Sequence, residues 1–257
     1  MKHLILPVNL TKRNNPVLLG LMALALSVTS CNKEDDSTDG TESSITEEEA
    51  AEAIAMSVSP ESGGMIEQTN QAIYTLEDDN SASSKAEDYE CGVEYGSSYN
   101  ISGQSANVTY SASLAWNWIV DCSTGSIPSA ADFDLTGTSS YDGPRISSDA
   151  STTATINIQN LEDEQSSYVV NETFSIVGSQ ESYVRNENAF TSTIDLSTTD
   201  LTVLKSNYNI ASGTISVSFH GVASNGNSYD YSGTLVFTGN QTATLTMGSG
   251  NTYELAW

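Results

Sequence analysis

The sequence predicts a mainly β protein, an antiparallel meander forming a curved sheet, a sandwich or a barrel, with two short N-terminal helices. Three observations carry this. Between residues 108 and 120 the side chains alternate: Val108, Tyr110, Ala112, Leu114, Trp116, Trp118 and Val120 share one parity, and Thr109, Ser111, Ser113 and Asn117 share the other. In the last fifty or so residues, apolar alternating runs are separated by turns of two to four residues, and strands joined so tightly must be antiparallel neighbours. The face opposite the apolar one is Ser, Thr and Asn, as expected of a sheet buried on one side and wet on the other.

Taken in order, residues 1–30 read as an export signal. Lys2, Lys12 and Arg13 precede an apolar run from position 17 to 28, interrupted by Gly20 and Ser27. That run is about 12 residues, too short to cross a bilayer of roughly 30 Å as a helix. Val28, Thr29 and Ser30 then lead into Cys31, a branched apolar residue and two small ones before a cysteine. This resembles the bacterial lipobox, and the resemblance implies that Cys31 is lipidated through its thiol and becomes the mature N-terminus. Acyl chains contribute about 0.8 kcal/mol per buried methylene, so more than one makes a durable anchor that does not span the membrane.

Residues 31–45 read as a flexible acidic tether, lacking the aromatic residues needed to offset the entropy of ordering. It begins with Lys33, Glu34, Asp35 and Asp36, a cluster that resembles the lipoprotein export signal of Bacteroidota. The resemblance implies an outer-membrane lipoprotein facing the cell exterior, and the chain as a whole is similar to Bacteroidota-type lipoproteins to which no activity attaches. Asp36, Ser37 and Thr38 also resemble the O-glycosylation sequon of that phylum.

Residues 46–88 read as a helical segment and linker. Thr46 and Glu49 have capping-box spacing, Glu47, Glu48 and Glu49 sit at the positive end of the helix dipole, and Ile45 can staple onto Ala50. Ala51, Ile54, Ala55 and Val58 make a narrow apolar stripe that ends at Ser59 and Pro60. After Gly63 and Gly64, the spacing of Met65, Thr69, Ala72 and Leu76, with Ile66 and Ile73 beside them, predicts a second helix. Both stripes are expected to dock on the sheet.

Residues 89–257 read as the antiparallel β domain. Beyond the long run at 108–120, strands are expected at 152–158, 168–177 and 190–196. Others should carry Ile215, Val217 and Phe219; Tyr229, Tyr231, Leu235 and Phe237; Ala243, Leu245 and Met247; and Tyr253, Leu255 and Trp257. Some ten strands in about 170 residues must curl, split or close. The apolar parity of Trp116 and Trp118 makes them core residues rather than a platform for sugar. A curved sheet holding the helices on its concave side would be similar in architecture to periplasmic lipoprotein carriers.

With Cys31 committed to lipid, Cys91 and Cys122 remain, and an even pair in an exported chain is expected to form a disulfide. A loop of about 31 residues gives it roughly 3.5 kcal/mol in the chain-entropy model.

The search for chemistry yields no catalytic, cofactor-binding or metal site. No G-x-S-x-G, H-E-x-x-H, phosphate loop or dinucleotide fingerprint occurs. His220 falls on the wet parity beside a turn. Asp132 with Asp134, and the stretch 225–230, offer oxygen ligands, but neither follows the order of a calcium loop. Whole, the chain carries 8 basic and 33 acidic residues; removing residues 1–30 deletes three basic residues and no acid, leaving 5 against 33, a net charge of −28. Such a field repels nucleic acid and polyanions and leaves neutral ligands and cations. The expectation is a membrane-anchored surface lipoprotein with a non-catalytic binding or adhesion-type β domain, its partners the membrane, through lipid, and a neutral glycan or another surface. The alternatives are an extracellular glycan hydrolase using paired carboxylates, or a periplasmic carrier of an apolar ligand. Oligomeric state is left open.

Overall fold

A computed structural model of the chain describes residues 11–12, 44–77, 89–105, 107–124, 126–162, 164–184 and 188–257. Cys31, the residues 28–30 before it and the cluster 33–36 lie outside the described residues.

Helix α1 (Glu47–Val58) starts as its sequence demands. Thr46 Oγ1 accepts from Glu49 N at 3.2 Å, and Glu49 Oε2 accepts from Thr46 N at 2.8 Å, closing the capping box. Ser59 ends it, and a 3₁₀ turn over Pro60–Ser62 leads through Gly63 to helix α2 (Met65–Leu76). The glycine pair has a steric reason: a Cβ on Gly63, whose φ is +69°, would lie 2.8 Å from the Tyr110 ring, and one on Gly64 would lie 2.5 Å from the Ser57 carbonyl oxygen.

Ten strands follow: β1 (Glu94–Gln104), β2 (Thr109–Cys122), β3 (Pro128–Asp142), β4 (Ile146–Gln159), β5 (Ser167–Ser182), β6 (Ala189–Leu204), β7 (Ile210–Ala223), β8 (Ser228–Gly239), β9 (Thr242–Met247) and β10 (Thr252–Ala256). They pair antiparallel in chain order, so the sheet is one meander with β1 at one edge and β10 towards the other, where Thr11 and Lys12 pair with Glu254 and Tyr253. The sheet is not closed. Of the three forms compatible with the sequence, it is the curved open sheet, with the two helices supplying what a second sheet would supply in a sandwich.

The inner face holds the core. Trp116, Trp118, Phe133, Ile156, Phe174, Ile194 and Phe219 are buried on it, in one cluster with α1 and α2. Trp118 stacks on Phe133 with ring centroids 5.8 Å apart, and Trp116 meets Tyr99 at 4.6 Å. Helix α1 is buried on every side from Glu49 to Val58, a wider contact than the stripe at 51, 54, 55 and 58 implies. Its alanines keep it thin, and the sheet wraps it instead of lying flat beneath it.

Two local devices shape the wrap. Gly137 and Gly178 occupy inner positions where a Cβ would come 2.2 Å from Ser113 O and 2.3 Å from Asp149 O, so neighbouring backbones cross these positions too closely for any side chain. Strand β6 carries an extra residue near Asp200, whose φ is +56° and whose N–H donates to Asn171 Oδ1 at 2.9 Å; the pairing of β5 with β6 shifts there.

Strands β1 and β3 were not among the expected ones. Strand β1 is an edge strand in which Tyr95, Tyr99 and Ile101 stand half-buried against the core among Gly, Ser and Asn, and none of its residues is fully buried. In β3 the alternation of Ala131, Phe133 and Leu135 fades into Gly137, Ser139 and Tyr141, because the inner face turns polar there: Thr152 bonds Ser139 at 3.0 Å, and buried Gln180 joins Ser148 and Ser192.

Candidate binding surface

Pairing brings the wet parity of successive strands into continuous rows on the outer face. One row runs Asn117, Asp134, Thr155, Thr173, Ser197, Ser216, Thr234, Thr246 and Thr252 from β2 to β10, each the register partner of the next. The adjacent row runs Ser98, Ala115, Thr136, Thr153, Ser175, Asp195, Ser218 and Ser232 from β1 to β8. Neighbours in a row are spaced about 4.8 Å apart and rows about 6.7 Å apart, the two spacings of a pleated sheet. Small side chains at every site leave a surface without tall obstructions.

Many of these groups bond each other. Thr155 and Thr173 hydroxyls lie 2.6 Å apart, Ser111 and Ser140 2.9 Å, Ser175 donates to Asp195 at 2.6 Å, and Asn157 donates to Asp132 at 2.7 Å. Each hydroxyl keeps unused donor or acceptor capacity, the property needed to exchange hydrogen bonds with a polyhydroxyl ligand. A groove of about 720 Å³ crosses the outer face from β1 to β5, lined by Asn100, Ser113, Thr138, Asp149, Ser151 and Val177 among others. Val177 stands 53% exposed in it, an apolar spot among hydroxyls. A second groove of about 480 Å³ continues over β4 to β7 past Thr153, Thr173, Asp195 and Ser216. Among the described side chains the Arg and Lys cations are engaged elsewhere: Arg145 with Glu52, and Lys205 with the carbonyls of Leu161 and Glu162.

The candidate residues fall as follows. Cys91 and Cys122 are bonded to each other, tying the segment before β1 to the end of β2. His220 lies on the outer face as its parity implies, but not alone: its Nδ1 is 2.7 Å from Oδ1 of Asp230, its register partner on β8. Asp132 and Asp134 are on the outer face of β3, where Asp132 accepts from Asn157. Asn225 caps its own turn, accepting from Asn227 N at 2.9 Å. Among the described residues no group of three or more His, Cys, Asp or Glu side chains is arranged to hold a metal.

One charged residue on the apolar face was missed. Glu172 shares the parity of Tyr168, Val170, Phe174 and Ile176, a signal present in the sequence, and it is buried on the inner face. Thr69 Oγ1 of α2 donates to its Oε2 at 2.7 Å, its own N–H donates to Thr198 Oγ1 at 2.8 Å, and Oε1 has no partner. Burial pushes its carboxyl up to about 8, against the pull of the Thr69 hydrogen bond. Such an acid resembles a tuned proton donor in its titration, but it is sealed under α2, away from the outer grooves.

No protein-family model, curated protein or solved structure matches this chain.

Proposed function

We propose that this chain is a lipid-anchored lipoprotein of the outer membrane, facing the cell exterior, whose sheet serves as a non-catalytic binding face for a neutral, hydroxyl-rich ligand such as a glycan. The observation that carries the binding reading is the outer face itself: register-matched rows of Ser, Thr and Asn across the sheet, two grooves, and no Arg or Lys among the described side chains directed to hold an anion. The anchoring reading rests on the residues of the leader, Val28, Thr29, Ser30 and Cys31, and on the cluster Lys33, Glu34, Asp35 and Asp36.

Affinity electrophoresis through gels containing neutral polysaccharides tests the binding face. Retardation of the native chain, lost when Thr155 and Thr173 are both replaced by Glu, is the expected result; release of reducing ends from the same polysaccharide overturns it in favour of a hydrolase. Anchoring and exposure are tested on intact cells. Added protease should degrade the native protein, and replacement of Lys33, Glu34, Asp35 and Asp36 by Ala should leave it lipidated but protected. Resistance of the native protein, in cells where another surface lipoprotein is cut, refutes the surface assignment.

A carrier of apolar ligands would need room between helices and sheet. That space is taken by α1, whose Ala50, Ala51, Ala53, Ile54 and Ala55 are wholly enclosed, so the outer-face reading is favoured.

A further inference from the structure

The groove of about 720 Å³ over β1 to β5 runs into another of about 440 Å³ at the end of the sheet where β5 finishes, and the two share Ser111, Ser140 and Asp149 as walls. An aromatic ring walls the second groove. Tyr183 follows β5 directly with the parity opposite to buried Ser182, and it stands 40% exposed on the outer face. Two bonds hold it: its N–H donates to Arg145 O at 2.8 Å, and its Oη donates to Asp142 Oδ1 at 3.1 Å. Asp142 lies on β3 and is joined to β5 through Ser147 of β4, so the ring reaches from the end of β5 over β4. Asp149 is two residues from Ser147 on the same face of β4, about 6.7 Å along the strand. Unlike Asp132, Asp195 and Asp230, whose carboxylates are hydrogen-bonded to neighbouring side chains, Asp149 has no side-chain hydrogen bond among the described residues.

A ring held at both its backbone and its hydroxyl loses little freedom on binding, and its face suits an apolar C–H surface. A carboxylate without a partner accepts from hydroxyls in charge-assisted bonds. Together they match a sugar ring, which is apolar on its faces and hydroxylated around its rim. We propose, building on the binding-face reading, that Tyr183 and Asp149 form the specificity-determining subsite of that face, Tyr183 stacking on a pyranose and Asp149 accepting from the hydroxyls at its rim. A β-glucosyl unit carries every substituent equatorially and so presents only C–H bonds on its two faces; the class of ligand is therefore a β-glucan. A furanose chain such as inulin has no such face, and a polyuronate would set its carboxylates against Asp149.

Affinity electrophoresis of the full chain in gels of soluble mixed-linkage β-glucan or of inulin tests this. Half-maximal retardation should need at least about tenfold less β-glucan than inulin. Tyr183→Ala and Asp149→Ala should each raise the β-glucan concentration required by about tenfold, whereas Tyr183→Phe, which keeps the ring and loses only the bond to Asp142, should raise it by no more than about twofold. Both side chains are exposed, so the thermal unfolding of each variant should follow that of the native chain and report an intact fold. Retardation that either alanine variant leaves unchanged, an equal loss in Tyr183→Phe and Tyr183→Ala, or inulin as effective as β-glucan would overturn the subsite while the binding face stands. A native chain retarded by no neutral polysaccharide would overturn both.

Discussion

Glu172 makes the stability of this protein depend on pH in a direction opposite to that of a paired surface acid. In the folded chain it titrates near 8, while an unfolded chain ionises it near the ordinary 4.5. Below the lower value both states hold the proton and nothing is lost. As pH rises through the window between the two values, the unfolded chain gives up its proton and the folded one does not, so stability falls until pH passes 8. Linkage puts the loss at about 3 kcal/mol by pH 7 and roughly 5 kcal/mol by pH 9. Glu172→Gln keeps the shape and an acceptor for Thr69 but cannot ionise. Urea unfolding at pH 5, 7 and 9, followed through the fluorescence of the buried Trp116 and Trp118, should show the two proteins within about 1 kcal/mol at pH 5 and the variant more stable by several kcal/mol at pH 9. Glu61 and Glu67, which burial also raises, are common to both proteins and cancel in the difference. A difference that stays constant from pH 5 to 9 would refute the reasoning, because it would mean that Glu172 is already ionised in the folded state.

Other substitutions have equally defined outcomes. Thiol trapping on the denatured, unreduced protein should label neither Cys91 nor Cys122, and replacing both with Ser should cost up to roughly 3.5 kcal/mol in urea unfolding. Thr46→Ala removes the α1 cap and should cost about 1 kcal/mol, seen as a lower Tm. Gly64→Ala forces a Cβ against the Ser57 carbonyl and should cost about 1–3 kcal/mol by the same measurement. His220→Ala breaks only an exposed pair with Asp230 and should change stability by less than about 0.5 kcal/mol while leaving glycan retardation intact.

What the sequence made legible followed period and pairing rules. Thr46 and Glu49 announced a capping box that is present, and the even parity of Leu114, Trp116 and Trp118 announced a buried face that is buried. The tight turns at Asn225 and Asn240 fixed the last strands as a meander, which the rest of the sheet repeats. Strand β3 escaped because its inner half faces a polar layer, so the alternation on which strand recognition depends is absent after Leu135. The choice among curve, sandwich and barrel escaped because it depends on what fills the inner face, and the degree to which α1 is enclosed is not encoded in its own stripe. The outer rows were visible as composition but not as rows, since register partners such as Thr155 and Thr173 are joined only once strands pair. Asp230 as the partner of His220 is of the same kind.

The first described turn before α1 is clasped by parts of the chain that come much later. Asn188 Nδ2 donates to Ser44 O at 2.9 Å, Tyr231 Oη donates to Ile45 O at 2.7 Å, and Ser249 Oγ and Asn251 Nδ2 both donate to Glu47 Oε1. A force applied at Ser44 therefore meets this clasp first. Displacing that segment sets several hydrogen bonds and the burial of Ile45 against the force together rather than one after another. A domain loaded in this way yields as a plug leaves a sleeve, only when the contacts of Ser44, Ile45 and Glu47 with the later hairpins give way as a set.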